Sequence, residues 1–400
     1  MLREQFPGLN NQVHGKPLVY LDNAATAQRP QVVLDAINNY YLHHNANIHR
    51  GVHSLSESAT DLYEQARHSM AKLINAPSAN DLIFVRGCTE GVNLVAQTFV
   101  RSRVKAGDEI LISHLEHHSN IVPWQMLCEQ TGAVLKVIPM NQQGELVLDD
   151  LDQLINSKTR FMSVVHVSNS LGTINPIKQL VQAAHDKGVP VLVDGAQATP
   201  HLKVDVQDLD CDFYTVSGHK MYGPTGSGVL YGKAEHLNAM PPYQGGGEMI
   251  SKVTFESTVY NAVPAKFEAG TPNIAGGIGL GAAAEFIMSV GIDKIAQRDQ
   301  VLKVYTEQAL KQVPGLRIIG HAAEKSPVFS FVIDGVHAHD IGTIIDHYGV
   351  AVRTGHHCTM PIFQYYGLAG TCRASLAFYN TEQEIDILVE SLLKAKAMFV

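Results

Sequence analysis

Seven short β-rich runs separated by helical patterns constrain this chain more than anything else in it. They are DLIFV from Asp81, EILIS from Glu109, AVLKVI from Ala133, RFMSVVHVS from Arg160, VPVLVD from Val189, CDFYTV from Cys211 and GSGVLYG from Gly226. Near-continuous Val, Ile and Leu suits strands buried on both faces of a mainly parallel sheet. With helices between them, the expected fold is a doubly wound α/β domain. Two helices precede the runs. Pro30 opens one, with Val33, Ile37, Tyr40 and His44 on a shared face. The next carries an apolar stripe of Leu55, Ala59, Leu62, Ala66, Met70 and Leu73.

After about Tyr231 the pattern changes. PPYQGGGEMI and the stretch to FEAGTPN are rich in Gly and Pro and read as loops. A long helical region from about Ile278 to Val313 follows, broken near Gly291, and the tail mixes strands VFSFVI, VAVR and RASLAF with helices. The last helix opens on a Thr381-x-x-Glu384 capping box. The expected division is an N-terminal segment (1–30) packing with the small domain, a large α/β domain (31–275) and a smaller α+β domain (276–400).

The charge balance, 30 Lys plus Arg against 38 Asp plus Glu, opposes a broad phosphate-backbone interface, so nucleic acid is not expected as a partner. No apolar stretch is long enough to span a bilayer, and MLREQFPGLN lacks the apolar core of a secretory signal. A membrane partner is not expected. The five cysteines are scattered, without a C-x-x-C, which argues against a disulfide framework or a Cys-rich zinc site. The expected location is the cytoplasm.

In open α/β sheets ligands sit beyond the carboxyl ends of the strands, and three loops of that kind stand out. In RGCTEGVN the chain turns through Gly87 into a helix near Thr89, whose free N–H groups and dipole suit a phosphate. Asp194 ends VLVD, where a buried carboxylate needs a cation or donors; taken alone it reads as a helix N-cap. Lys220, in TVSGHKMYG, also follows an apolar strand. An amine held partly desolvated there becomes a Schiff-base nucleophile, although lysines commonly face solvent. Together these are the parts of a pyridoxal phosphate site: helix end for the phosphate, Asp194 for the pyridine nitrogen, Lys220 for the aldehyde carbon.

His114, His117 and His118 lie in SHLEHHSN, at a strand end and without H-E-x-x-H, so a stacking imidazole is preferred to a metal site and no metal is expected. His43, His44, His337 and His339 read as surface or capping residues. Cys358, in VRTGHHCTM beside Arg353, His356 and His357, has the positive neighbours and loop position of a reactive thiol. Cys88, Cys128, Cys211 and Cys372 read as buried or structural. Arg373 is a candidate clamp for a carboxylate, or else half of a surface ion pair.

Nearly end to end, the chain resembles the class V, fold-type I pyridoxal-phosphate enzymes. Within them it is similar to the group II cysteine desulfurases and selenocysteine lyases of SufS/CsdA type. The resemblance rests on YLDNAATAQRP, NIHRGVHSLS, RGCTEGVN, EHHSNIVPW, VDGAQ, SGHKMYGPTG, GGGEMI, FEAGTPN, RTGHHCTMP and CRASLAFYNT. It implies a large domain with a mainly parallel seven-stranded sheet, a smaller C-terminal domain carrying the catalytic cysteine, and pyridoxal 5'-phosphate as cofactor. Lys220, Cys358 and His117 are the implied catalytic set, with His117 stacked on the ring. Asp194 pairs with the pyridine nitrogen and Gln197 with the ring hydroxyl. Thr89, Ser217 and His219 hold the phosphate, next to Cys88, which stands where the family more often has Thr. Thr271 is the residue the family donates from a neighbouring subunit, which implies a homodimer. Asn169, Arg353 and Arg373 bind substrate, while His49 and Arg50 resemble a loop near the entrance. The implied reaction converts L-cysteine to L-alanine with the sulfur left on Cys358, and L-selenocysteine is a second implied substrate. The implied acceptor is a SufE/CsdE-like protein feeding iron–sulfur cluster assembly. The alternatives are an aminotransferase or kynureninase-like enzyme of the same fold, in which Cys358 has no catalytic role, and a non-catalytic scaffold.

Overall fold

The structure is a computed structural model and describes residues 2–399. Near the amino terminus lie a short strand β1 (Val19–Tyr20) and helices α1 (Gln31–Asn39) and α2 (Ser54–Leu73). The seven apolar runs then form one sheet: β2 (Leu82–Val85), β3 (Glu109–Ser113), β4 (Val134–Ile138), β5 (Thr159–Val165), β6 (Val191–Asp194), β7 (Phe213–Ser217) and β8 (Gly228–Gly232). Its order is β2-β8-β7-β6-β5-β3-β4, parallel except for β8, which runs antiparallel to both its neighbours.

Alternate residues of most of these strands enter two separate cores. Leu82, Leu111, Met162, Val164, Val191, Val193, Tyr214 and Val216 join one, and Ile83, Ile110, Phe161, Leu192 and Phe213 join the other. This two-sided burial is why those strands read as unbroken apolar runs. β4 departs from the expectation. It is one of the two sheet edges, and unlike β2 at the other edge, which is mostly buried, it leaves Val134, Lys136 and Val137 exposed; the lysine discourages further strand pairing.

The stripe of α2 also differs from the expected one. Leu55 is exposed, and the buried face runs through Ala59, Tyr63, Ala66, Arg67 and Met70. Helices α3 (Cys88–Val95), α4 (Val122–Thr131) and α5 (Ile177–His185) connect strands of the sheet, and the cause lies in α6 (Ile274–Val290), which follows it. A Cβ on Gly281 of α6 would stand 2.5 Å from the Ala66 Cβ, and one on Gly277 would stand 2.6 Å from the Tyr63 ring. Small residues on both helices set the contact, and the larger Leu side chains fall outside it. At Gly291, φ +90°, the chain bends by 76° into α7 (Ile292–Leu310), the expected break. No single helix among the described residues is long and apolar enough to cross a membrane.

The carboxyl-terminal part forms a four-stranded sheet of β9 (Leu316–Ile319), β10 (Val328–Ile333), β12 (Arg353–Gly355) and β13 (Thr371–Ser375), in the order β9-β10-β13-β12. A separate short strand, β11 (Val350–Ala351), pairs in parallel with β1. RASLAF is a strand only as far as Ser375; beyond it Asn380 Oδ1 accepts from the Ala377 amide and turns the chain. Helices α8 (Ala338–Asp346) and α10 (Glu382–Ala397) cover this sheet, while the short α9 (Met360–Tyr365) packs Ile362 with Leu115, Met140, Val165, Leu171 and Ile319. His337 caps α8 by accepting from the His339 amide, and α10 opens on the Thr381/Glu384 capping box. Phe6 fastens the parts together. Its ring is fully buried against Tyr222, Phe286, Phe378 and Tyr379.

Candidate active site

The parallel strands deliver their carboxyl ends to one edge of the sheet, and a cavity of about 230 Å³ opens there. Lys220, Asp194, Ser217, His219, Cys88, Thr89 and His117 line it from the large sheet. Cys358, His357, Arg353 and Arg373 line it from the small one, with Asn169 between them. The sequence expectations therefore converge on one place, except that His49 and Arg50 line another cavity with Glu64 and Glu248 and that two further residues stand apart. Gln197 is buried beside the cavity and donates to the Ala24 carbonyl at 2.7 Å. Thr271 lies in a different groove with Tyr63, Phe84 and Glu268.

On the large-sheet wall, Gly87 has φ +144°, a backbone that side chains rarely adopt, and a Cβ there would come within 3.2 Å of Ser217 Oγ. The turn aims the amino end of α3 at the cavity, where the Cys88 amide donates to Ser217 Oγ at 2.9 Å. Asp194 is 2% exposed, and its Oδ1 accepts from the Ala196 amide at 3.0 Å. Burial pushes the Lys220 amine below its ordinary range, and the Asp194 charge opposes that push. Burial, with Lys220 next in importance, lowers His117 to about 3 and His219 to about 4. His117 Nδ1 lies 3.0 Å from the Ser119 amide, which can only donate. Nδ1 is therefore the acceptor, and the neutral ring carries its proton on Nε2.

The opposite wall is built differently. Arg353 and Arg373 face each other across the β12–β13 pair. Like charges directly opposed on antiparallel strands are destabilising unless an anion joins them. Asp22 takes one hydrogen bond, from Arg373 Nη2 at 2.9 Å, while Nη1 donates to the Asn169 carbonyl at 3.0 Å. Arg373 Nε and Asn169 Oδ1 remain buried without a partner. Two guanidinium groups against one carboxylate, with Arg373 Nε–H free, can take a further small anion. Next to it, Arg353 Nη2 stands 3.9 Å from Cys358 Sγ. His357 and Cys358 both adopt left-handed backbone, φ +51° and +60°. Such residues persist only where the surroundings hold them, at about 1–3 kcal/mol each. Asn169 Nδ2 holds the His357 carbonyl at 2.7 Å, and Thr371 Oγ1 lies 2.8 Å from His357 Nε2.

Sequence reasoning missed Asp22 and Ser119, and it read His357 as a positive neighbour of the thiol, whereas burial, with Arg373 next, holds that ring well below its ordinary range. The signal for Asp22 was a carboxylate inside YLDNAATAQRP, a segment whose distance from the strand ends hid its partner, Arg373. Among the described residues no three His, Cys, Asp or Glu side chains converge as metal ligands.

A helix amino terminus, a buried carboxylate and a desolvated lysine on one cavity wall fit pyridoxal phosphate, and the orphaned Arg373 Nε–H opposite, beside the Arg353 guanidinium, fits the carboxylate of an amino acid. The chain belongs to the aminotransferase class-V family, whose sequence pattern matches residues 19–388, and that family is pyridoxal-phosphate dependent. Within it the chain is a cysteine desulfurase. It is 48% identical over 99% of its length to a probable cysteine desulfurase of Xylella fastidiosa, 95% of which is covered. It is 51% identical over 98% of its length to the cysteine desulfurase of Cronobacter sakazakii, with 97% covered. Its fold is similar to that of the cysteine desulfurase CsdA from Escherichia coli, with a TM-score of 0.92 and 41% identity over 100% of this chain and 98% of the other.

Proposed function

We propose that Cys358 takes the sulfur of L-cysteine and that the substrate leaves as L-alanine. The observation that carries this reading is the meeting of Lys220 and Asp194 with Cys358, Arg353 and Arg373 on one cavity. Lys220 Nζ would hold the aldehyde carbon of pyridoxal phosphate, with Asp194 at the pyridine nitrogen and Gln197 at the ring hydroxyl. The amino end of α3 with Thr89, Cys88, Ser217 and His219 would hold the phosphate, and His117 would stack on the ring. The bound cofactor supplies an electron sink for bonds broken at the substrate Cα.

The protein does the rest. Arg373, Arg353 and Asn169 orient the substrate carboxylate. Lys220 Nζ, freed by the substrate amine, takes the Cα proton. Cys358 Sγ, as thiolate beside the Arg353 guanidinium, attacks the substrate sulfur. An S–S bond forms and the Cβ–S bond breaks. Its electron pair stays with carbon, which is protonated on the way to alanine, leaving a Cys358 persulfide.

The finer assignments belong to the same proposal. Thr271 would complete the site of a second copy in a homodimer, consistent with its distance from the Lys220 cavity. The persulfide would pass to a SufE/CsdE-like acceptor for iron–sulfur cluster assembly in the cytoplasm. L-selenocysteine, a better leaving group, would be cleaved without Cys358. The division at 1–30, 31–275 and 276–400 would give the cysteine to the small domain. The test is alanine formed from each substrate by Cys358→Ala. Loss with L-cysteine and retention with L-selenocysteine is expected; retention with both would remove Cys358 from the reaction.

A further inference from the structure

The three histidines of SHLEHHSN do not act as a group. His117 faces the cavity, but His118 and His114 turn to the opposite wall. The His118 amide donates to the Cys358 carbonyl at 2.8 Å, and its ring Nε2 lies 3.1 Å from the Met360 amide. His114 Nε2 lies 3.2 Å from the Pro361 carbonyl. A loop at the end of β3 thus grips residues 358, 360 and 361.

The need for that grip is local. Met360 is the first residue of α9, so its amide has no partner within the helix. The N-cap Thr359 makes no side-chain capping bond, its hydroxyl being engaged with the His356 carbonyl and Ser170. His118 caps the helix from the other wall. The Met360 amide can only donate, so Nε2 is the acceptor and the neutral ring carries its proton on Nδ1. Burial and the neighbouring His356 push His118 below its ordinary range, which favours that neutral ring. The amide bond and the cap hold the chain at the end of the left-handed turn that presents the thiol and two residues beyond it.

We infer that His118 is a positioning residue that fixes the Cys358 sulfur against the cofactor wall by capping α9 beside the cavity. The inference rests on Cys358 being the sulfur acceptor.

The test uses the holoenzyme carrying His118→Phe, which removes the acceptor, and His118→Gln, whose side-chain oxygen can replace it. His118→Phe should lower kcat for alanine formation about tenfold or more without raising KM for L-cysteine. It should also speed amide exchange over residues 356–363, leave the visible band of the bound cofactor unchanged, and be substantially reversed in His118→Gln. His114→Phe, which loosens the Pro361 end, should act in the same direction more weakly, and it keeps the test open if His118→Phe does not fold. Wild-type kcat in both Phe variants, an altered cofactor band, or no rescue by Gln overturns the assignment. Cys358→Ala is run alongside. If it makes alanine from L-cysteine at the wild-type rate, the sulfur-acceptor reading itself fails. If it is inactive while the Phe variants are unaffected, only the positioning role falls.

Discussion

The two walls of the cavity hold their functional groups by different means. On the large-sheet side, Asp194 and Ser217 are the last residues of buried strands, and Lys220 follows three residues beyond β7. Sheet hydrogen bonds and two-sided packing set their positions. On the small-sheet side, Cys358 sits in a short left-handed turn held by groups from elsewhere: the Asn169 and Thr371 side chains and the His118 backbone amide. The wall shared with other pyridoxal-phosphate chemistry is rigid by topology. The wall that directs the chemistry to sulfur is a loop fixed by a few replaceable contacts, so specificity sits where substitutions are easiest to make.

The largest break in this comparison is Lys220→Ala. It should lower alanine formation roughly 10³-fold or more and abolish covalent retention of the cofactor, seen as loss of the visible absorption band on gel filtration. Normal activity would show that the rigid wall is not where the chemistry begins. Next comes the brace between the walls. Phe6→Ala removes a fully buried ring at the meeting of Tyr222, Phe286 and Phe378. It should cost about 3–5 kcal/mol in a denaturant titration, and a loss under 1 kcal/mol would separate the brace from stability.

Acid sharpens the contrast. Burial lowers His166 from 6.5 to about 4, with its Nδ1 3.0 Å from Tyr214 Oη. The unfolded chain therefore binds a proton that the folded chain refuses between those two pH values. Stability is intact above pH 6.5 and falls as pH drops towards 4, by about 3 kcal/mol for this residue. His117 and His219 add the same sign. Denaturant midpoints at several pH values check this, and His166→Phe, if it folds, should show a shallower slope. A slope of the opposite sign would mean that these rings are charged in the folded state. The smallest effect is expected on the substrate side. Arg373→Lys keeps the charge but loses the fork, and should raise KM for L-cysteine about tenfold with little change in kcat. An unchanged KM would move the carboxylate elsewhere.

What could be read from sequence follows the same divide. Strands buried on both faces write themselves as apolar runs, so the sheet and the loops after VLVD and TVSGHK were legible. The α2 face was not, because Gly277 and Gly281 on a distant helix decide it. On the cysteine side, RTGHHC announced the thiol. Nothing local announced that Asp22 would meet Arg373 or that His118 would cap α9, since these partners come together only when the two sheets pack. Side-chain contacts between distant segments leave no periodic trace.

The central claim, that this cavity joins a general cofactor wall to a sulfur-accepting one, is tested most directly by one assay. Alanine release from L-cysteine is measured with a reductant present, comparing wild type with Cys358→Ala, both loaded with cofactor. The account predicts that the variant keeps the cofactor band and loses alanine formation. Full alanine formation by the variant would contradict it.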